Sequence, residues 1–280
     1  MKVFISVDIE GIAGVSVPLQ GRKGNAEYER ARRLMTAEAS AAVRGAIKGG
    51  ASQVVVADSH GTMQNILPEE LDSRARLVSG SPRTYSVLAG LDAGYDALVL
   101  IGFHSAAGRV GVMSHTYNGL AFARIQIEGR LVGEAELFAG YAAELNVPLA
   151  VASGDDCLAE EVAAVFPHAE TVVAKTCLGG WASNSLSPEG SCRRIEDAVA
   201  TKLKNCRKDE VRPLRDSPFT IELEMTRQFF ADVCCLLPEI DRLSATRISL
   251  RVESHAHAIR MIQALSYIVI GSSFERPARG

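Results

Sequence analysis

The sequence predicts an α/β fold, a layered and mostly parallel sheet with helices on both faces, followed by a small C-terminal α+β unit. Three short apolar runs, at about residues 2–7, 53–57 and 97–103, are bounded by glycine and polar residues, as strands buried on both faces of a parallel sheet are. Between the first two lies a long Ala-, Arg- and Glu-rich segment with the composition of a helix. Alternation of strands and helices favours right-handed βαβ units.

The first half continues this alternation. The first helix is expected from about residue 27 to 48, because Gly49 and Gly50 follow as a stop signal. A short strand is expected near 76–79 and a helix near 83–91, before the strand at 97–103. Period-two alternation at Phe122–Ile127, followed by Glu128-Gly129, indicates a hairpin whose second strand contains Leu131.

The second half is predicted to add two more strands to the parallel sheet. These are the apolar runs near 149–152 and 171–174, with helices at about 134–145, from Cys157, and at about 188–206. Beyond a charged, proline-containing stretch that begins at Lys208, the pattern is β-α-β-α, with strands at about 219–225 and 248–252 and a last helix from about His255 to Tyr267. We therefore expect two units, a metal-binding catalytic α/β domain at 1–208 and a small domain or oligomerisation element at 209–280.

Composition excludes several classes of protein. Hydrophobic residues make up 47% and charged residues 22%, which is typical of a globular chain rather than a disordered one. A net charge of −3 gives no basic surface for nucleic acid or an anionic membrane. No apolar run is long enough for a membrane span, no signal-peptide pattern follows Met1, and the six cysteines show no CxxC spacing. We expect a soluble cytoplasmic protein with reduced thiols.

Metal-binding side chains follow the three apolar runs. Asp8 and Glu10 come after the first run, His60 after the second and His104 after the third. The carboxyl ends of parallel strands meet at one edge, where ligands bind in open α/β sheets. Carboxylates and imidazoles without a thiolate suit a catalytic zinc or manganese site.

Two further residues belong to this prediction. Glu134 follows the hairpin and becomes a fifth ligand if the hairpin folds over the sheet edge. His115 could be another ligand, a general acid or base, or polar lining, since imidazole exchanges a proton near neutral pH. The Asp155-Asp156 turn could anchor a substrate amine or be a helix N-cap before Cys157. Lys175 could orient a carboxylate or a carbonyl, or lie at the surface.

Two further features have an ordinary structural interpretation. Trp181 and the loop 179–185 could line a substrate pocket or simply pack. His255 and His257 are two residues apart at a helix start, where their side chains diverge, so we expect them to be solvated rather than a metal pair.

These motifs together resemble the zinc-dependent D-aminopeptidase family, peptidase family M55. The resemblance rests on motifs that occur in the same order along nearly the whole chain: Asp8-Ile9-Glu10-Gly11, Asp58-Ser59-His60-Gly61, Gly102-Phe103-His104, Ser114-His115-Thr116, Gly133-Glu134 and Gly154-Asp155-Asp156. It implies two zinc ions per subunit, with manganese as the other candidate metal, held by Asp8, Glu10, His60, His104 and Glu134. It also implies that His115 is the catalytic nucleophile or acid/base, and that the chain forms a ring-shaped homo-oligomer such as a decamer.

We therefore expect an aminopeptidase that acts on short peptides or amides with an N-terminal D-amino acid of the D-Ala type. The alternative is a two-metal amidase or phosphoesterase for another small molecule. A proofreading-type exonuclease also carries an Asp-x-Glu on its first strand, but it needs a His-x₄-Asp element that is absent here. A peptide-binding accessory protein would not need a full set of ligands together with His115.

Overall fold

A computed structural model of the chain describes residues 1–273, which fold into twelve strands and six helices. The strands are β1 Lys2–Val7, β2 Gln53–Asp58, β3 Ala75–Val78, β4 Ala97–Ile101, β5 Phe122–Ile127, β6 Arg130–Leu131, β7 Leu149–Asp155, β8 Glu170–Gly179, β9 Ala182–Ser185, β10 Phe219–Met225, β11 Asp241–Arg242 and β12 Arg247–Val252. The helices are α1 Ala26–Lys48, α2 Glu134–Glu144, α3 Asp156–Val165, α4 Pro188–Leu203, α5 Gln228–Cys234 and α6 His255–Ser272.

The first sheet confirms the predicted parallel architecture. Its strand order is β3-β2-β1-β4-β7-β8-β9, and every neighbouring pair is parallel except β8 and β9. The chain moves outward in one direction from β1 to β3 and then crosses back to β4, so the strand order reverses between β1 and β4. Such a switch point opens a crevice at the carboxyl ends of the strands.

Both faces of this sheet are covered, as predicted. On one face the apolar side chains Val3, Ile5 and Val7 of β1 pack against α1 and α4. On the other face Phe4 of β1 and Leu98 of β4 join a second core that includes α2, α6 and the second sheet. Burial on both faces explains why the sequence of these strands is a continuous apolar run rather than an alternation.

The second sheet is antiparallel, with strand order β11-β12-β10-β5-β6. The hairpin β5-β6, which precedes residue 208, thus shares one sheet with the strands that follow it. The division at 208/209 stays a prediction, and residues 274–280 of the predicted second unit lie outside the described part of the chain.

One predicted helix is wrong. Residues 83–91 contain only a three-residue 3-10 turn, Ser86–Leu88. Tyr85 and Ser86 both have a positive φ, which a continuing right-handed helix does not allow. The short strands β9 and β11 were not predicted, whereas the other predicted strands and helices are present within a few residues of their expected bounds.

None of the helices among residues 1–273 combines the length and the apolar content needed to cross a bilayer.

Candidate metal centre

The chain segments that follow β1 and β4 lie against each other at the carboxyl edge of the first sheet. The backbone N–H of Asp8 donates to the Ile101 carbonyl at 2.8 Å, and that of Gly11 donates to the Gly102 carbonyl at 2.7 Å. A Cβ atom on Gly11 would collide with this neighbouring backbone. Only glycine therefore permits the close approach, which places Asp8 and Glu10 beside the end of β4.

A buried ammonium group holds the loop that carries Glu10. Lys175 of β8 is 2% exposed, and its Nζ donates to the carbonyl oxygens of Glu10, Ile12 and Val15. The interpretation that Lys175 orients a carbonyl is therefore confirmed. Removal of this ammonium group would take the side-chain donor away from the buried Glu10 carbonyl, so this lysine contributes to the position of Glu10.

His60, at the end of β2, faces both carboxylates that follow β1. Its Nδ1 lies 2.9 Å from Glu10 Oε2 and 3.3 Å from Asp8 Oδ1. Its loop is fixed by Asp58, whose buried carboxylate accepts hydrogen bonds from the backbone N–H groups of Asn65 and Ile66. Asp58 thus positions the loop and does not point into the centre.

His104, Glu134 and His115 form the other side of the centre. His104 Nε2 lies 3.6 Å from Asp8 Oδ2 and 3.4 Å from Glu134 Oε1. His115 Nε2 lies 3.8 Å from the same oxygen of Glu134, and its ring stacks on that of His104 with centroids 4.0 Å apart. The structure therefore brings all six predicted site residues together, including Glu134 from the start of α2.

All three histidines use one ring nitrogen on a backbone carbonyl. His60 Nε2 lies 2.8 Å from Gly21 O, His104 Nδ1 lies 3.1 Å from Ser105 O, and His115 Nδ1 lies 3.0 Å from Met113 O. A carbonyl oxygen only accepts, so each of these nitrogens carries the proton when the ring is neutral. The other nitrogen then presents its lone pair to the centre, which is how metal-ligating histidines are oriented.

The donor set fits zinc or manganese. Asp8, Glu10 and His104 each offer an atom within 4.8 Å of the others, as do His104, His115 and Glu134. His104 Nε2 is buried and makes no hydrogen bond, which is costly for a polar atom unless a ligand occupies its lone pair. Nitrogen and carboxylate oxygen are the donors expected for these metals.

The buried charges perturb one another strongly. Burial and the neighbouring Glu10 charge raise the pKa of Asp8 to about 8. Burial also acts to raise the pKa of Glu10, but the charge and hydrogen bond of His60 hold it well below its usual value. Burial acts to lower the pKa of His104, yet Glu134 outweighs it and raises the pKa to about 10. Three carboxylates lie beside the imidazoles, and together they stabilise a positive charge placed between them.

Two weaker predictions are also resolved. Asp155 caps α3, since its Oδ1 accepts a hydrogen bond from the backbone N–H of Leu158 at 2.8 Å. The N-cap interpretation of this residue is therefore confirmed. His255 was expected to be solvated, but it is buried and its Nδ1 lies 2.8 Å from Glu144 Oε1. Helix α2 has Gly140 where a side chain would collide with this ring, so the histidine packs between α2 and α6.

Sequence reasoning predicted only a small part of the walls of the site. A cleft of about 520 Å³ opens from the carboxylates, and α6 contributes Gln263, Ser266, Tyr267 and Ile270 to its lining. A second cleft, of about 310 Å³, contains Arg22 and Trp181. Of these residues only Trp181 was a candidate for pocket lining from the sequence. No motif marks Arg22 or the residues of α6.

Comparison with known proteins agrees with this arrangement. A sequence model of the D-aminopeptidase family Peptidase_M55 matches residues 1–264. A D-aminopeptidase of Bacillus subtilis (strain 168) is 31% identical over 277 residues, which cover 98% of this chain and 100% of that protein. The solved structure of the Zn-dependent D-aminopeptidase DppA from Bacillus subtilis, described as a self-compartmentalizing protease, superposes with a TM-score of 0.92 at 30% identity, covering 98% of this chain and 100% of that one.

Proposed function

This chain belongs to the D-aminopeptidase family Peptidase_M55 and is a peptide hydrolase, and from that premise we propose that it removes an N-terminal D-amino acid of the D-Ala type from short peptides or amides. The observation that carries the proposal is the convergence of three carboxylates and three histidines whose free ring nitrogens face inward. A binding protein would not need this arrangement.

We propose that Asp8, Glu10, His60, His104 and Glu134 hold two zinc ions per subunit, with manganese as the alternative metal. Asp8 would contribute an oxygen to each side of the centre, because its Oδ1 faces His60 and its Oδ2 faces His104. When bound, the ions supply Lewis acidity toward a carbonyl group and a water molecule that loses its proton near neutral pH.

The proposed role of His115 is to accept and return a proton. Burial and the neighbouring His104 lower its pKa, so the ring is neutral at pH 7. Because Nδ1 donates to Met113 O, Nε2 is the basic nitrogen and faces the cleft. From that position it can take the proton of the attacking water or give one to the leaving amine, whereas attack by Nε2 itself would need a covalent intermediate. His115 also lies within ligand distance of His104 and Glu134, so a direct metal-binding role remains the alternative.

The larger cleft is compatible with a free α-amine. Its only carboxylates are the proposed metal ligands Asp8, Glu10 and Glu134, and no lysine or arginine lines it among residues 1–273. No lysine or arginine side chain therefore repels the positively charged amino end of a substrate there. Asp155, the other sequence candidate for amine recognition, already accepts backbone hydrogen bonds from Val112 and Leu158.

The assembly is also proposed. The Bacillus subtilis structure carries the description self-compartmentalizing, which supports a closed homo-oligomer for this chain, with a ring-shaped decamer as the specific expectation. The cytoplasmic location stays a prediction from the sequence.

The test is hydrolysis of D-Ala and L-Ala p-nitroanilides by purified protein, with zinc measured in the same sample. We expect release from the D form only, with about two zinc ions per chain, and loss of both in His60→Ala because an inward-facing nitrogen is removed. His257→Ala, on α6 outside the centre, is the matched control and should behave as wild type. Two metals per chain with cleavage of a phosphoester instead would identify the alternative two-metal hydrolase.

A further inference from the structure

Two clefts open from the candidate metal centre, and they share three of its residues. Glu10, His60 and His115 line both the cleft of about 520 Å³ and the cleft of about 310 Å³. The centre therefore lies at their junction. A substrate cleaved at the centre would extend into one cleft with its amino end and into the other with its leaving group.

The clefts differ in the charged residues that lie outside the metal centre. Apart from the proposed metal ligands, no carboxylate, lysine or arginine among residues 1–273 lines the larger cleft. The smaller contains Arg22, the one lysine or arginine among its described lining residues. Arg22 is exposed, and among the described side chains, which are those of residues 1–273 except Glu210, no carboxylate forms an ion pair with its guanidinium. Its charge is thus available to a ligand.

The backbone of Arg22 is anchored to the centre. Its carbonyl accepts from Asn25 Nδ2 at 2.6 Å, and its N–H donates to the Leu19 carbonyl at 3.3 Å. The preceding carbonyl, of Gly21, accepts from His60 Nε2 at 2.8 Å. Arg22 therefore follows directly on the residue that orients one of the predicted metal ligands.

Other lining residues of the smaller cleft are also fixed to the centre. They include Met113, close to His115, and Trp181, from the turn between β8 and β9. The backbone N–H of Met113 donates to the Gly180 carbonyl at 2.8 Å, which joins the two segments. Ser183 of β9 contacts Ser16 across a 2.6 Å Oγ–Oγ distance, so the hairpin is fixed to the loop after β1 as well.

We infer that the smaller cleft binds the C-terminal carboxylate of a dipeptide or tripeptide, with Arg22 as the specificity-determining residue. The inference rests on the proposed aminopeptidase function and defines its substrate class as free-acid peptides. Guanidinium groups bind carboxylates through paired N–H donors. One or two residues beyond the scissile bond span roughly 4–7 Å. Short peptides are the length class that matches Arg22, because it directly follows Gly21, whose carbonyl oxygen lies 2.8 Å from His60 Nε2.

The test compares D-Ala-D-Ala with its C-terminal amide, which differs only by the absent negative charge. Steady-state kinetics are measured for wild type, Arg22→Gln and Lys23→Gln. Lys23 is the adjacent exposed cation and contacts Gln64 at 3.2 Å, away from both clefts, so it serves as the matched control. We expect wild type to prefer the free acid in kcat/KM and Arg22→Gln to lose about tenfold of that preference through a higher KM for the acid. Lys23→Gln should retain it.

Two outcomes would overturn the inference in distinguishable ways. If wild type cleaves the acid and the amide equally well, or if Arg22→Gln keeps the preference, the carboxylate subsite is wrong while the aminopeptidase proposal stands. If wild type loaded with zinc cleaves neither peptide, the proposed aminopeptidase function is wrong. The carboxylate subsite, which depends on that function, is then wrong as well.

Discussion

Glu38 is a buried acid that lies outside the metal centre and carries an unusual charge environment. It is 1% exposed on α1, its Oε1 accepts from the Ala13 N–H and the Ser191 hydroxyl, and its Oε2 makes no hydrogen bond. Burial outweighs these bonds and the nearby Lys175, and raises the pKa of Glu38 to about 7 from its usual 4.5. The folded protein therefore keeps this proton at pH values where the unfolded chain has lost it.

This shift predicts a pH dependence of stability. Between pH 4.5 and 7 the folded state binds more protons at Glu38 than the unfolded state does, so its contribution to stability falls as pH rises and stays low above pH 7. The loss is on the order of 3 kcal/mol. Glu38→Gln cannot ionise, so its thermal denaturation midpoint should decline less than that of wild type between pH 5 and 8.

The control for this prediction is Glu27→Gln, which removes an exposed carboxylate from the same helix. Its pH profile should run parallel to that of wild type. Parallel profiles for Glu38→Gln and wild type would show that Glu38 is already ionised in the folded protein at neutral pH.

Residue identity and sequence position predicted the members of the site but not their orientation. Strand-end positions were enough to group Asp8, Glu10, His60 and His104, because parallel strands end at one edge. The pairing of each histidine with a carbonyl of Gly21, Ser105 or Met113 depends on loop conformation, which carries no sequence period. The sequence did not predict a role for Arg22 either, because its place in the cleft also depends on loop conformation and an isolated arginine in a loop belongs to no motif.

At the level of secondary structure elements, glycine controls how closely the strand ends approach. A Cβ on Gly154, at the end of β7, would lie well under 3.0 Å from the Phe103 carbonyl oxygen. That oxygen belongs to the backbone that leads from β4 into His104, so it cannot rotate away as a side chain could. The carboxyl ends of β4 and β7 are thus adjacent only because this position is glycine.

Gly154→Ala should therefore destabilise the fold by about 1–3 kcal/mol, the usual cost of forcing an extra methyl group into a packed site. It should also lower zinc occupancy, because His104 follows directly on the displaced backbone. Chemical denaturation and metal analysis of the same preparation measure both effects. Gly271→Ala, on α6 with no atom near the added Cβ, is the control and should be neutral or stabilising. Wild-type stability and zinc content in Gly154→Ala would contradict the steric argument.

Local signals predicted the regular elements well and the irregular ones poorly. Continuous apolar runs identified β1, β2 and β4, and the Asn25 cap with Gly49 beyond the last turn bounds α1. The segment at 83–91 has helix-compatible composition, yet Tyr85 and Ser86 adopt positive φ. Such backbone values in non-glycine residues arise from tertiary packing, which a single sequence does not show.

At the scale of the whole molecule, the two sheets share one apolar core on the face opposite α1 and α4. Side chains from β5, β10 and β12 pack with α2 and α6 in that core. Because α6 then runs beside the centre, a segment more than 200 residues after Asp8 lines the larger cleft. The sequence predicted the C-terminal elements themselves, but not that they join the hairpin β5-β6 or reach the site.

The proposed assembly makes a separate prediction for the whole molecule. The chain has a mass of 29.9 kDa, and a decamer would have ten times that mass. Sedimentation equilibrium should therefore show one species of a defined multiple of the chain mass, stable on dilution. A monomer at every protein concentration would exclude the closed ring, while leaving the chemistry of the centre to be tested independently.

The central claim is that Asp8, Glu10, His60, His104 and Glu134 hold a pair of zinc ions. The most direct test is a crystal structure of the zinc-loaded protein, with anomalous diffraction recorded on both sides of the zinc absorption edge. The account predicts two anomalous peaks roughly 3.5–4 Å apart among these side chains, one near His60 and one near His104, with Asp8 between them. No peak at this edge of the sheet, or peaks bound elsewhere on the chain, would contradict it.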